Sequence, residues 1–105
     1  MDFTLAEKLA IVKAVDAIVI ADGVVHNGEI DHVQQLMHTI DFDSNFIVQA
    51  RNIPAGHDIK ILKEMPDNKK TDLARILKEV ANSDGFVHKK ETALMSQIFA
   101  AIEFI

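Results

Sequence analysis

The chain has 105 residues and a formal charge of −5, and it contains no cysteine, tryptophan or tyrosine. That length allows one domain, residues 1–105, with a real core, and the missing cysteines exclude a disulfide framework, a Cys-ligated zinc and a thiol nucleophile. The acidic balance argues against a nucleic-acid partner, because phosphate binding needs a basic face.

Apolar residues make up 49% of the chain but only six are aromatic, so the interior must be aliphatic, which suits packed helices. Charge is unevenly spread. Through residue 59 nine acids face only Lys8, Lys13 and Arg51, whereas from Lys60 onward eight bases meet seven acids. The longest apolar run, Ala17 to Ala21, is far too short to span a bilayer, so no direct membrane insertion is expected. Asp2 and Glu7 stand where a secretory signal carries a basic segment, and Asp16 interrupts the apolar stretch. A cytoplasmic location is the expectation.

Thr4-Leu5-Ala6-Glu7 has the Thr-x-x-Glu form of a capping box and predicts a helix start. Leu5, Leu9, Val12, Val15 and Val19 follow at helical spacing, as do Ile11 and Ile18. Ile18 to Val25 also reads as two β-branched runs around an Asp-Gly hairpin turn. The matching stretch Glu79-Val80-Ala81-Asn82-Ser83 is poor strand material, which favours helix, turn, helix. Ile30, Val33, Leu36, Met37 and Ile40 make the next apolar face, ending near Asp41. Asp43 or Ser44 caps a short helix through Phe46, Ile47 and Ala50, and Pro54 breaks it. Ile59, Leu62 and Met65 predict another short helix ended by Pro66. Asp67 is the expected cap of a helix with Leu73, Ile76, Leu77 and Val80 inside, and Leu94, Met95, Ile98, Phe99 and Ile102 mark the last. The expected fold is all-α: about six helices, with two pseudo-repeated helical hairpins packed as a compact bundle.

The repeat is explicit in the sequence. Asp22-Gly23-Val24-Val25-His26-Asn27-Gly28-Glu29 returns 62 residues later as Asp84-Gly85-Phe86-Val87-His88-Lys89-Lys90-Glu91. Ile11, Val15 and Leu36 correspond to Leu73, Leu77 and Ile98 at the same offset. Turn chemistry accounts for part of the motif. Gly23 and Gly85 suit a left-handed residue after a helix. His26-x-x-Glu29 and His88-x-x-Glu91 have capping-box spacing, with Val25 and Ile30 as a hydrophobic staple and Val87 with Thr92 as a weaker one. Two residue types fit this badly. Asp22 and Asp84 oppose the dipole at a helix C-terminus, and histidine is a poor N-cap.

Those residues point to metal. Counted from its glycine, each corner matches the second half of an EF-hand loop, but Ile18, Ile20, Val80 and Asn82 occupy the places of the first ligands. A metal site must therefore be shared between Asp22, Glu29, Asp84 and Glu91, with His26 and His88 as further ligands. Carboxylates alone favour Mg²⁺, Ca²⁺ or Mn²⁺, and imidazoles shift the preference toward Mn²⁺, Fe²⁺ or Zn²⁺. Glu29-Ile30-Asp31-His32 has the Glu-x-x-His spacing of di-iron bundles, but Leu94 breaks it in the second copy, so His32 is expected at the surface. His38 and His57, without acidic neighbours at helical spacing, are expected to be exposed. No phosphate loop, nucleophile elbow or His-Glu-x-x-His is present. The helices after Glu29 and Glu91 lack the basic or amide-rich face of a DNA-recognition helix.

Ala21-Asp22-Gly23-x-Val25-x-x-x-Glu29 and Ser83-Asp84-Gly85-x-Val87-x-x-x-Glu91, each after an apolar helix, resemble the signature of TerB-like domains. That family is named for a tellurite-resistance protein and also occurs at the N-terminus of DjlA-type cochaperones. The likeness covers nearly the whole chain. It implies an all-α fold of two related hairpins and an acidic cluster of Asp22, Glu29, Asp84 and Glu91 proposed to bind divalent metal. It further implies a bacterial, non-enzymatic role in stress responses, exercised through a protein partner that is often membrane-associated. This sequence departs from the family at His26 and His88, where a small or polar cap is usual. The expected function is a non-catalytic TerB-like module holding Mn²⁺, Zn²⁺, Ca²⁺ or Mg²⁺ at its paired corners. The alternatives are an interaction domain whose corners only cap helices, and a metal-dependent hydrolase in which a carboxylate–imidazole cluster activates water.

Overall fold

Six helices follow one another: α1 (Leu5–Val19), α2 (Asn27–Thr39), α3 (Ser44–Arg51), α4 (His57–Lys63), α5 (Asp67–Ala81) and α6 (Lys89–Ala101). The computed structural model describes residues 3–21, 23, 27–54, 56–82 and 89–104, with the side chains of all of these except Asn27 and Glu29. No strand occurs among the described residues, so the hairpin alternative at Ile18–Val25 gives way to the end of α1.

α1 starts where its capping box places it. The Thr4 hydroxyl accepts from the Glu7 N–H at 3.1 Å, and the Glu7 carboxylate accepts from the Thr4 N–H at 2.8 Å, so two otherwise orphaned donors are satisfied. Asp43 caps α3 by accepting from the Asn45 N–H at 2.9 Å. The expectation for Asp67 is corrected. Pro66 is the extended N-cap and Asp67 the first helical residue, a place where its charge still favours the helix dipole.

α1 is the central helix. It packs against α3, α4, α5 and α6, while α2 rests on α5 and α6 closes over α5 and α4. Ile11, Ile18, Leu62, Leu73, Leu77, Val80 and Ile102 are wholly buried in the shared core. Two apolar expectations fail at the edges. Leu5 is 64% exposed and Ile30 is 42% exposed, because the first turns of α1 and α2 extend beyond the neighbours that cover the rest of each helix. The radius of gyration is 12.5 Å, close to the value of about 13 Å for a packed chain of this length.

The repeat governs the architecture. Moving α1 and α2 forward by 62 residues lands on the bounds of α5 and α6 at both ends of both helices. The correspondence continues through the helix stops. Phe42 N–H donates to the Met37 carbonyl at 3.0 Å, and Phe104 N–H to the Phe99 carbonyl at 2.9 Å. Asp41 (φ 57°) and Glu103 (φ 59°) adopt the left-handed conformation between them, completing two Schellman stops. Lys8 donates to the Asp41 carbonyl at 3.1 Å and Lys70 to the Ile102 carbonyl at 3.0 Å. Each hairpin thus sets a cation against its second helix's negative end.

The halves also face each other reciprocally: α1 meets α6 as α5 meets α2. Lys69 donates to the Glu7 carboxylate at 2.7 Å, and these two residues are each other's counterparts in the repeat. Self-pairing of equivalent positions is the pattern of an isologous interface, built here within one chain.

Candidate functional site: the paired corners

The first corner begins with the C-terminal turn of α1. Ile20 N–H donates to the Asp16 carbonyl at 3.1 Å and Ala21 N–H to that of Ile18 at 3.2 Å. Gly23 follows at φ 80°, its N–H donating to the Ile20 carbonyl at 3.0 Å. That φ is strained for any residue with a Cβ, which bears out the turn role of this glycine. In the second corner, Asn82 closes α5 by donating from both its backbone and its side-chain nitrogen to the Lys78 carbonyl, at 3.1 and 2.8 Å.

Of the six residues expected to hold metal, Glu91 is described in full. It lies in the first turn of α6 and its side chain is wholly buried. Glu29 is the corresponding residue of α2, in its first turn, but its side chain lies outside the described residues. Asp22, His26, Asp84 and His88 also lie outside them, as do Gly85 and the staple residues Val25 and Val87, so one member of each staple and each corner cap is not described. Among the described residues, no group of three or more His, Asp or Glu side chains could hold a metal ion.

The described part of this region does contain a polar contact that sequence reasoning missed. His32 of α2 reaches Glu79 of α5, Nε2 to Oε2 at 3.6 Å, with the imidazole 23% exposed. The expectation of a surface histidine is therefore corrected: His32 is half-buried between helices. The acid partner comes from another element, so no spacing rule along one helix reveals it. The repeat does not announce it either, since the counterparts of His32 and Glu79 are the apolar Leu94 and Ala17. His32 and Glu79 line a groove of about 160 Å³ with Gln35, Thr39 and Arg75. His38 and His57 are exposed, as expected.

An ion pair ties α3 to α1. Arg51 donates from Nε and an Nη to the two Asp16 oxygens, both at 2.9 Å. This two-pronged bond raises the Arg51 pKa above its ordinary value. Lys13 donates to the Ala50 carbonyl at 3.3 Å, so two α1 side chains hold the last turn of α3. No helix of the described chain is long and apolar enough to cross a membrane.

The chain matches no family model and no curated protein. It is similar to a protein of unknown function from Porphyromonas gingivalis W83, solved as a crystal structure. The two share 23% identity at a TM-score of 0.84, over 100% of this chain and 88% of that one. This likeness establishes that the helical fold is shared.

Proposed function

We propose that the protein is a non-catalytic, TerB-like bacterial module that holds one divalent metal ion between its paired corners and acts through a protein partner. The observation that supports this most is Glu91. A carboxylate removed from water is held by hydrogen bonds or by a cation, and this one stands at the entry of α6 inside a motif repeated with matching helix bounds. Asp22, Glu29, Asp84 and Glu91 supply hard oxygen donors suited to Mg²⁺, Ca²⁺ or Mn²⁺, and His26 and His88 would move the preference toward Mn²⁺ or Zn²⁺. We read such a module as cytoplasmic, and the resemblance implies a role in stress responses of the tellurite-resistance kind.

Thermal melting with each metal tests the reading. A metal that binds only the folded chain stabilises it by about 2.7 kcal/mol at a free concentration one hundred times Kd. One of Mn²⁺, Zn²⁺, Ca²⁺ and Mg²⁺ is expected to raise the melting temperature, and the Asp22→Asn/Asp84→Asn variant is expected to lose that rise. Coincident curves in all four metals would reject the metal site and leave the corners as helix caps.

A further inference from the structure

A pocket of about 270 Å³ opens where α1 meets α3 and α4, lined by Lys13, Asp16, Ala17, Ile20, Arg51 and Asp58. Lys13, Asp16, Ala17 and Ile20 recur at helical spacing and form one stripe of α1. Arg51 ends α3, and Asp58 belongs to the first turn of α4. The counterparts of the stripe in α5 are Arg75, Lys78, Glu79 and Asn82. The apolar positions of the stripe are polar there, so duplication of the hairpin did not duplicate this lining.

Asp58 is the least satisfied of these groups. The residue is 7% exposed, and among the described residues no hydrogen bond or ion pair reaches its carboxylate. A carboxylate withdrawn from bulk water is normally met by a donor or a cation. Its place in the first turn of α4 suits the helix dipole, but an exposed acid there would serve the dipole without losing hydration. Lys13 is the opposite case. Its half-buried ammonium donates to the Ala50 carbonyl at 3.3 Å and has no acid partner among the described residues, and an ammonium has three donors to place. Asp16 and Arg51 neutralise each other through two bonds of 2.9 Å. One negative and one positive group therefore line the same pocket, each without a counter-charge and not paired with each other. Ala17 and the 47% exposed Ile20 supply apolar surface beside them.

We propose that this pocket binds a small aliphatic zwitterion, a free amino acid, whose ammonium donates to Asp58, whose carboxylate accepts from Lys13 and whose side chain rests on Ala17 and Ile20. A cation alone leaves Lys13 without a counter-charge, and an anion alone leaves Asp58 without one. A single molecule carrying both charges complements both. The volume lies just below the range of about 300 Å³ upward that holds drug-sized ligands, which fits one amino acid rather than a peptide. The site stands apart from the proposed metal, because no corner carboxylate or histidine lines the pocket among the described residues.

Free leucine is the probe, titrated into the full chain by calorimetry and followed by amide chemical shifts. Leucine is expected to bind and to shift the amides around Lys13, Ala17 and Asp58. Isopentylamine and isocaproate, which keep the side chain and one charge each, are expected to bind about tenfold more weakly or worse, the loss that goes with one charged contact. Asp58→Asn and Lys13→Gln are each expected to weaken leucine binding by about the same factor. Asp58→Asn is also expected to leave the melting temperature unchanged or higher, because it removes a buried charge that has no partner. No binding at millimolar leucine, equal binding of the amine or of the carboxylate, or shifts centred elsewhere would each overturn the proposal. So would an Asp58→Asn variant of unchanged leucine affinity, which would leave Asp58 as a helix-dipole charge only. If that variant fails to fold, the ligand series on the unmodified chain decides. Asp22→Asn/Asp84→Asn is expected to bind leucine as the parent does, so failure here and failure of the metal reading are separable.

Discussion

Glu7 connects three levels of this structure through one carboxylate. Its Oε1 accepts the Thr4 N–H that opens α1 and also the Lys69 ammonium of α5. Burial pushes the Glu7 pKa up, but the Lys69 and Thr4 contacts outweigh it, and the group ends below its ordinary value. A depressed carboxylate contributes stability that is fully present above its unfolded pKa of about 4.3 and is lost as pH falls through the folded one. Glu7→Gln keeps an oxygen for the cap but loses the charge. It is expected to destabilise the chain by about 1 kcal/mol at neutral pH, with the gap to the parent closing in acid below the ordinary carboxylate range. Denaturant titrations at neutral and acidic pH check this, and a gap that does not change with pH would contradict it. Among single residues, the capping role of Thr4 and Glu7 was legible from four letters of sequence. The Lys69 contact was not, because it depends on how the two halves face each other.

At the scale of the element, helix length and stop were set by local chemistry that the repeat makes visible. Leu73, Ile76, Leu77 and Val80 predicted the inner face of α5, and all four are buried. The recurrence of Ile40-Asp41-Phe42 as Ile102-Glu103-Phe104 carries the matched Schellman stops, although neither tripeptide contains the glycine that usually announces one. Asp41 sits at φ 57° with no Cβ-free residue to relieve it. Asp41→Gly is therefore expected to stabilise the protein by about 0.5–1 kcal/mol, the left-handed strain released less the added freedom of the unfolded chain. The Lys8 bond is made to the backbone carbonyl and survives the change. Loss of stability in a denaturant titration would show that the Asp41 side chain has a role that outweighs its strain. Leu5 and Ile30 mark the limit of periodicity: it identifies an apolar stripe, but not which turns of the stripe a neighbour reaches.

For the whole molecule, the central position of α1 has a thermodynamic consequence. It packs against four of the other five helices, so neither hairpin keeps its core if the other leaves. Unfolding is expected to be a single cooperative transition. Far-ultraviolet circular dichroism, together with amide signals from α2 and from α6 followed separately, should give coincident denaturant curves. A hairpin that melts early would show that the halves are independent. The two halves are nevertheless not equivalent in what they expose. Among the described residues, an apolar cleft of about 240 Å³ lies beside the first hairpin, between α1, α2 and α3.

The sequence by itself determined the all-helical class, the six elements, most of the inner faces and the duplication, since these follow from periodicity, capping and turn chemistry within a few residues. Tertiary structure alone decided which helix became central, that Lys69 meets Glu7 and that His32 faces Glu79. Those outcomes depend on side chains far apart in the chain competing for the same space. A local pattern carries no record of that competition. The acidic corner motif lies between these limits: the left-handed turn at Gly23 was readable as turn chemistry, whereas the wholly buried state of Glu91 emerged only when α6 folded onto the core.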